Sequence, residues 1–381
     1  MKRERVVVAM SGGVDSSVAA SLLVEAGYEV IGITMQLWPK EWCNLPPTPK
    51  SCCSLRDAED ARSVAAELAI PFYVLDLAEE FQRRVIDYFA SSYEQGLTPN
   101  PCIACNDHIK FGALMQQAEL LGAAKVATGH YARVRFDEPT GRHLLQRGLD
   151  DAKDQSYVLF GLSQEQLSRS MFPIGELSKA RVREIAQARG FRVFDKPDSQ
   201  DICFLRGGDK QAFLTQRARP QRPGPILDTA GRVLGQHGGT LGFTVGQRQG
   251  LGIAAGHPLY VLDVDAERNC LIVGTKEELI QRSCHLERVN WMTAPPAVGS
   301  SLDAAVRIRA HHPLTPATIE VTGERTARLY FHESQSAVTP GQAAVLYDAE
   351  TVLGGGWIAK RSKQQAAGSR METDIQWAAS T

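Results

Sequence analysis

The chain has 381 residues, more than one ordinary hydrophobic core accommodates, which predicts two or three domains. Hydrophobic residues make up 43% and charged residues 22%, the balance of a soluble globular protein. With 42 basic and 43 acidic residues the net charge is −1, so global charge gives no nucleic-acid signal and any polyanion must be held by local patches. In chain order, residues 5–10 read as a buried strand. Residues 14–26 read as a helix with Val18, Leu22, Leu23 and Ala26 facing inward. Residues 30–35 and 72–77 are further strands with a helix over 55–69 between them, and 125–129 closes the set. Strands alternating with helices predict a parallel α/β sheet. Residues 38–50 carry Pro39, Pro46, Pro47 and Pro49 and read as a loop near the carboxyl edge of that sheet.

Helical patterns return over 164–167 and 179–189. After Leu205 the texture changes. Residues 206–224 carry Arg206, Lys210, Arg217, Arg219 and Arg222 against the single acid Asp209, and read equally as a phosphate-contacting patch or a solvated linker. Six strand-like alternations follow, at 259–264, 270–273, 304–309, 318–321, 327–331 and 343–347, with no long helix. The second half therefore reads as all-β, in two small units dividing near Thr275, with a polar tail after Arg361.

The basic start MKRER precedes an apolar run too short for a signal peptide. No later stretch approaches the roughly 18 apolar residues of a membrane helix, so a cytoplasmic protein is expected. Eight cysteines are too few for a disulfide scaffold at this length, which points to catalysis, redox chemistry or metal binding.

The first strand runs straight into Ser11-Gly12-Gly13-Val14-Asp15-Ser16-Ser17, where a helix begins. Two glycines let the backbone approach an anion, and hydroxyls with the free N–H groups of a helix start bind phosphate. Asp15 is odd there unless Mg²⁺ neutralises it or the site handles a leaving pyrophosphate. The bland alternative is a turn capped by Ser11. Walker A is excluded, because no Gly-Lys-Ser/Thr follows.

Residues 98–106 (TPNPCIACN) read as a proline-stiffened loop ahead of a helix starting near Asp107. A cysteine at or before a helix N-terminus is a stabilised thiolate and a better nucleophile. Taken singly, Cys105 and Cys203 fit equally well as small apolar fillers.

SGGVDS resembles the PP-loop of the ATP pyrophosphatase superfamily. Taken together with TPNPCIACN, ATGHY (127–131), KDQSY (153–157), DSQDICFL (198–205), TVGQR (244–248), TPGQ (339–342) and the Gly354 to Gly356 triplet, the chain resembles the tRNA-specific 2-thiouridylases. The resemblance implies a Rossmann-like (HUP-type) parallel sheet domain over 1–206. A central β-rich domain over 207–275, a β-barrel-like tRNA-contacting domain over 276–362 and a tail over 363–381 follow. It also implies cleavage of ATP to AMP and pyrophosphate with Mg²⁺, and sulfur insertion at C2 of the wobble uridine of tRNA. Ala9, Met10, Ser11, Gly12, Gly13, Val14, Asp15, Ser16, Met35 and Gly129 would hold ATP. Cys105 would be the nucleophile. Cys203 would carry a persulfide loaded by a donor such as a cysteine desulfurase or a sulfur-relay protein. His130, Lys153, Asp154, Gln155, Arg309, Ala310 and Gln342 would touch tRNA, and Asn100, Pro101 and Cys102 the target base.

Cys102 departs from the family pattern, in which many members carry aspartate. It creates Cys102-x-x-Cys105, and with Cys52 and Cys53 four thiols could ligate zinc or an iron–sulfur cluster. Adjacent cysteines chelate poorly, and a metal on Cys105 would silence the nucleophile, so a metal-free site is expected. The competing readings are another PP-loop ATP-dependent synthetase acting on a small molecule, and a non-catalytic RNA-binding protein.

Overall fold

The computed structural model describes residues 3–38, 55–198, 202–205, 210–217 and 220–360. Residues 39–50 of the expected loop, Cys52, Cys53 and the tail lie outside the described residues. After Arg5, strand β1 (Arg5–Ala9) is an unbroken apolar run because both its faces are covered. Val6 and Val8 join one cluster with Val18 and Leu23 of helix α1 (Val14–Glu25). Val7 and Ala9 join another with Phe111 and Leu114.

Beside β1 lie β2 (Glu29–Gln36), β3 (Phe72–Asp76), β4 (Lys125–Ala127) and β7 (Ser170–Met171) in the order β3-β2-β1-β4-β7, every pair parallel. The chain leaves β1 where the strand order reverses, the position at which open α/β sheets bind ligands. Helix α2 (Leu55–Glu67) follows β2, and helix α3 runs over 78–94.

The thiol segment corrects an expectation. Its helix, α4, begins at Pro101 and not near Asp107, and runs to Leu120 through a π-type stretch over Cys105–Ala113. The prolines were read as loop stiffeners. Pro101 instead occupies the first helical position, where its missing N–H costs nothing and its φ is already helical.

Helices α5 (Gln164–Ser168) and α6 (Lys179–Ala188) complete the first part. Lys210–Arg217 forms helix α7 inside the basic stretch read as patch or linker. A four-stranded sheet follows, with β8 (Gly224–Leu227), β9 (Val233–His237), β10 (Tyr260–Asp265) and β11 (Cys270–Gly274) in the order β10-β11-β8-β9.

The last part is a barrel of β12 (Ile280–Trp291), β13 (Ser301–Arg307), β14 (Thr315–Gly323), β15 (Thr326–Ser336), β16 (Ala343–Asp348) and β17 (Thr351–Ile358). It closes because β12 is long enough to pair with β15 at one end and β17 at the other. The sequence reading placed Arg309 in a strand, but β13 ends at Arg307 and Arg309 lies in the turn beyond. It also missed β12 and β17, the latter because three consecutive glycines argue against a strand. The hairpin of β5 (Ala132–Asp137) and β6 (Arg142–Arg147) reaches out of the first part and joins β17 at Thr351↔Gln146. Among the described residues no helix is long and apolar enough to cross a membrane.

Candidate active site

The β1–α1 turn packs its glycines closely and leaves helix-start N–H groups without a side-chain cap. Gly12 has φ +71°, and a Cβ there would meet the Asp57 carbonyl oxygen at 2.1 Å, so only glycine lets the turn sit against α2. Gly13 is the N-cap of α1 and makes no side-chain cap, which leaves the first-turn N–H groups to a ligand. Ser16 Oγ accepts from Ser11 N at 3.1 Å, and Ser17 Oγ donates to Gly13 O at 2.9 Å, so the hydroxyls shape the turn. From β4's end Gly129 closes in. A Cβ there would stand 2.7 Å from Ser16 N. Met35, at the carboxyl end of β2, is half-buried between two apolar clusters.

Asp15 was expected to need a metal or phosphate partner. The fold places two protein partners on it as well. Lys179 Nζ donates to both carboxylate oxygens at 2.8 Å, and the Tyr131 hydroxyl donates to Oδ1 at 2.8 Å. Lys179 also pairs with Asp198 at 2.8 Å, and Asp198 accepts from Lys153 at 2.7 Å and Arg183 at 3.0 Å. Burial pushes the Asp198 carboxyl up, but the hydrogen bonds from Lys153 and Lys179 outweigh it and hold it at about 2. Lys196 lies behind the loop and donates to Gly12 O at 2.9 Å and to Asp57 and Asp60 at 2.6 Å each.

None of Lys179, Lys196, Tyr131 and Asp198 was given a role from sequence. One signal was present for Lys179. It opens a helix capped by the Ser178 side chain, and a cation at a helix start opposes the macrodipole unless it serves something else.

The thiols gather on a second feature. The Asn100 side chain caps α4 by accepting from Cys102 N at 3.1 Å and Ile103 N at 3.4 Å. Cys102 is exposed in the first turn, and Cys105 and Cys203 are half-buried. Cys105 and Cys203 pack against the same apolar cluster, which includes Phe81, Phe89, Ile109 and Phe204. Phe204 meets Phe89 edge-on at 5.0 Å, and its burial anchors the short segment that carries Cys203 by roughly 2–3 kcal/mol. Among the described residues no group of three or more histidine, cysteine or carboxylate side chains is gathered as a metal centre requires, and Cys52 and Cys53 lie outside them.

The residues expected to meet tRNA fall into different settings. His130 is buried, with Nδ1 2.5 Å from Thr128 Oγ1 and Nε2 accepting from Lys110 at 3.2 Å. Burial, reinforced by Lys110, holds its pKa well below 6.5. Gln342 Nε2 donates to Thr98 O at 2.9 Å, so the barrel braces the loop that leads to Asn100, Pro101 and Cys102. Lys153 faces Asp198, the Asp154 side chain is fully enclosed, and Gln155 Oε1 accepts from Tyr131 N at 3.0 Å. Arg309 is exposed, and Ala310 beside it is half-buried.

Residues 4–207 match the tRNA methyl transferase HUP domain, 211–275 the tRNA methyl transferase PRC-barrel domain, and 281–358 the aminomethyltransferase beta-barrel domain. The chain is 52% identical to the tRNA-specific 2-thiouridylase MnmA of Moorella thermoacetica, over 92% of this chain and 98% of that protein. It is 51% identical to the protein of the same name from Geobacter metallireducens, over 93% and 97%.

Proposed function

From the premise that this chain belongs to the tRNA-specific 2-thiouridylase family and is a tRNA sulfurtransferase, we propose a reaction path that its own residues carry out on a tRNA uridine. The carrying observation is the pairing of an anion-binding turn with two cysteines on one apolar cluster. ATP is the activating substrate, received by the turn over 9–16 with Gly129 and Met35. A uracil carbonyl oxygen is a poor leaving group. Attack of that oxygen on the α-phosphorus releases pyrophosphate and converts it into a good one.

The residues around the turn fit this load. The open N–H groups of α1 and the Lys179 ammonium offset phosphate charge. Asp15 and Asp198 offer the hard oxygen donors Mg²⁺ prefers, and the ion would supply further charge neutralisation.

Sulfur arrives as a persulfide on Cys203 from a persulfide-donating protein. The Cys105 thiolate attacks the inner sulfur, hydrosulfide leaves, and a Cys105–Cys203 disulfide forms. The hydrosulfide adds at C2 and AMP departs with the former carbonyl oxygen. A thiol reductant then restores both cysteines. The target is the wobble uridine, extruded from the anticodon stack so that C2 reaches Asn100, Pro101 and Cys102. Arg309 with Ala310, His130 and Lys153 serve the tRNA side, and Gln342 serves it through the Thr98 loop that it braces.

The test is mass analysis of anticodon nucleosides after tRNA, ATP and a persulfide donor are incubated with the protein. One 2-thiouridine per tRNA at the wobble position is expected, with AMP in equal amount. Cys203→Ser and Cys105→Ser should each lose product with the protein donor yet still release pyrophosphate and recover product when sulfide is supplied, because free hydrosulfide bypasses the persulfide step. Near wild-type product from either variant with the protein donor would reject the two-thiol path.

A further inference from the structure

Lys153, Asp154 and Gln155 are consecutive, yet their side chains tie three different parts of the molecule. Lys153 holds Asp198 beside the phosphate loop. Gln155 clasps the Tyr131 backbone from both sides, accepting from its N–H at 3.0 Å and donating its own N–H to the carbonyl at 2.9 Å. The Tyr131 hydroxyl then reaches Asp15 at 2.8 Å.

Asp154 connects to the barrel. Its side chain is 0% exposed, and its Oδ2 accepts from Arg307 of β13 at 2.8 Å and from Ser156 Oγ at 3.1 Å. Oδ1 accepts from Gly148 N at 3.1 Å and Ser156 N at 3.0 Å. Arg147 Nε of β6 stands 3.5 Å away. A carboxylate has about four acceptor sites, and four donors already fill them. Nothing of Asp154 remains to read RNA. Arg307 is itself 9% exposed and lies two residues before the exposed Arg309.

We infer that Asp154 is a positioning residue that holds the 309–310 turn of the barrel at a set place relative to the phosphate loop, so that nucleotide binding and tRNA docking become interdependent. The inference rests on the reading that this turn meets tRNA. The path is short: Arg309 turn, Arg307, Asp154, Gln155, Tyr131, Asp15.

Removing the carboxylate alone would leave Arg307 enclosed without its counter-charge, so Asp154→Asn by itself also tests folding. The informative variant is Asp154→Asn with Arg307→Gln, which removes both charges while Arg147 keeps Asp151 at 2.7 Å. The readout is the dissociation constant of tRNA with and without α,β-methylene ATP, measured by filter binding alongside Tm. In the wild type the nucleotide should tighten tRNA about tenfold, a usual strength for coupled sites. In the double variant, with Tm retained, that ratio should fall to about one while affinity for the nucleotide alone is unchanged. Arg307→Lys alone, which keeps a cation on Asp154, should preserve most of the coupling. A wild-type ratio of one, or a double variant with the wild-type ratio, overturns the inference. Wild-type protein that shows the coupling but makes no 2-thiouridine would instead reject the proposed reaction.

Discussion

His130 sits inside the fold with Lys110 donating to Nε2, so the ring's proton belongs on Nδ1 and the ring is neutral. Its pKa lies well below 6.5, first through burial and then through Lys110. The unfolded chain binds a proton near 6.5 that the folded chain refuses, so stability rises with pH up to that value and falls below it. The slope from this one residue reaches about 1.4 kcal/mol per pH unit. His130→Gln should flatten the fall, measured as the urea midpoint against pH. Asp198 acts with the same sign but lower on the pH scale. Its carboxyl is held at about 2 against an ordinary 3.8, so its contribution is complete above 3.8 and is lost only as pH falls toward 2. Acid loss near pH 6 therefore belongs to histidine and not to the phosphate network. At Cys102 the thiol is exposed and its N–H is already capped by Asn100. Protein prepared without oxygen should carry no stoichiometric iron or zinc, and Cys102→Asp should keep thiolating tRNA. Metal lost together with activity in that variant would overturn the metal-free reading.

Among the elements, the β1–α1 turn separates what a loop needs for shape from what it needs for chemistry. Gly12→Ala forces a left-handed φ on a side chain and drives Cβ into the Asp57 carbonyl, costing at least about 1–2 kcal/mol before any loss of nucleotide. Gly13→Ala has ordinary φ −99° and nearest neighbour Ser11 Oγ at 3.5 Å, so it should cost under about 1 kcal/mol. Equal urea midpoints for the two variants would contradict this geometry. Asp15→Ala should leave Tm nearly unchanged, because Lys179 keeps Asp198, yet abolish thiolation. Persistent ATP cleavage in that variant would remove Asp15 from the site. Helix α4 was legible as a helix near the thiols. Its start was not, because Pro at the first helical position and Pro in a loop look alike until the Asn100 cap is seen.

Over the whole molecule the two halves are laced together. Gln342 of the barrel side holds Thr98, and the β5–β6 hairpin from the first part joins β17. The basic stretch illustrates how charge is redistributed by folding. Lys210 sits over the Tyr93 ring at 4.8 Å and donates to Thr244 Oγ1 at 3.2 Å, while Arg217 sits over Phe213 at 4.2 Å. Charge reversal at Arg217 would therefore disturb aromatic packing as well as any RNA contact, and Arg309 is the cleaner probe. Arg309→Ala should weaken tRNA binding similarly across sequences and reduce the slope of log affinity against log salt by about one. An unchanged slope would take Arg309 off the phosphate backbone.

Read alone, the chain determined its parallel α/β sheet, the glycine-paired turn after β1 and an all-β second half. Each of these is written in local terms: an apolar run, a glycine pair before a helix, a period of two. Tertiary structure alone decided the partners. Asp15 meets Lys179 across 164 residues, Asp154 meets Arg307 across 153, and Gln342 meets Thr98 across 244. Ion pairs and hydrogen bonds between such distant positions leave no periodic trace, because each needs only one donor and one acceptor brought within about 3 Å by the packing of everything between them.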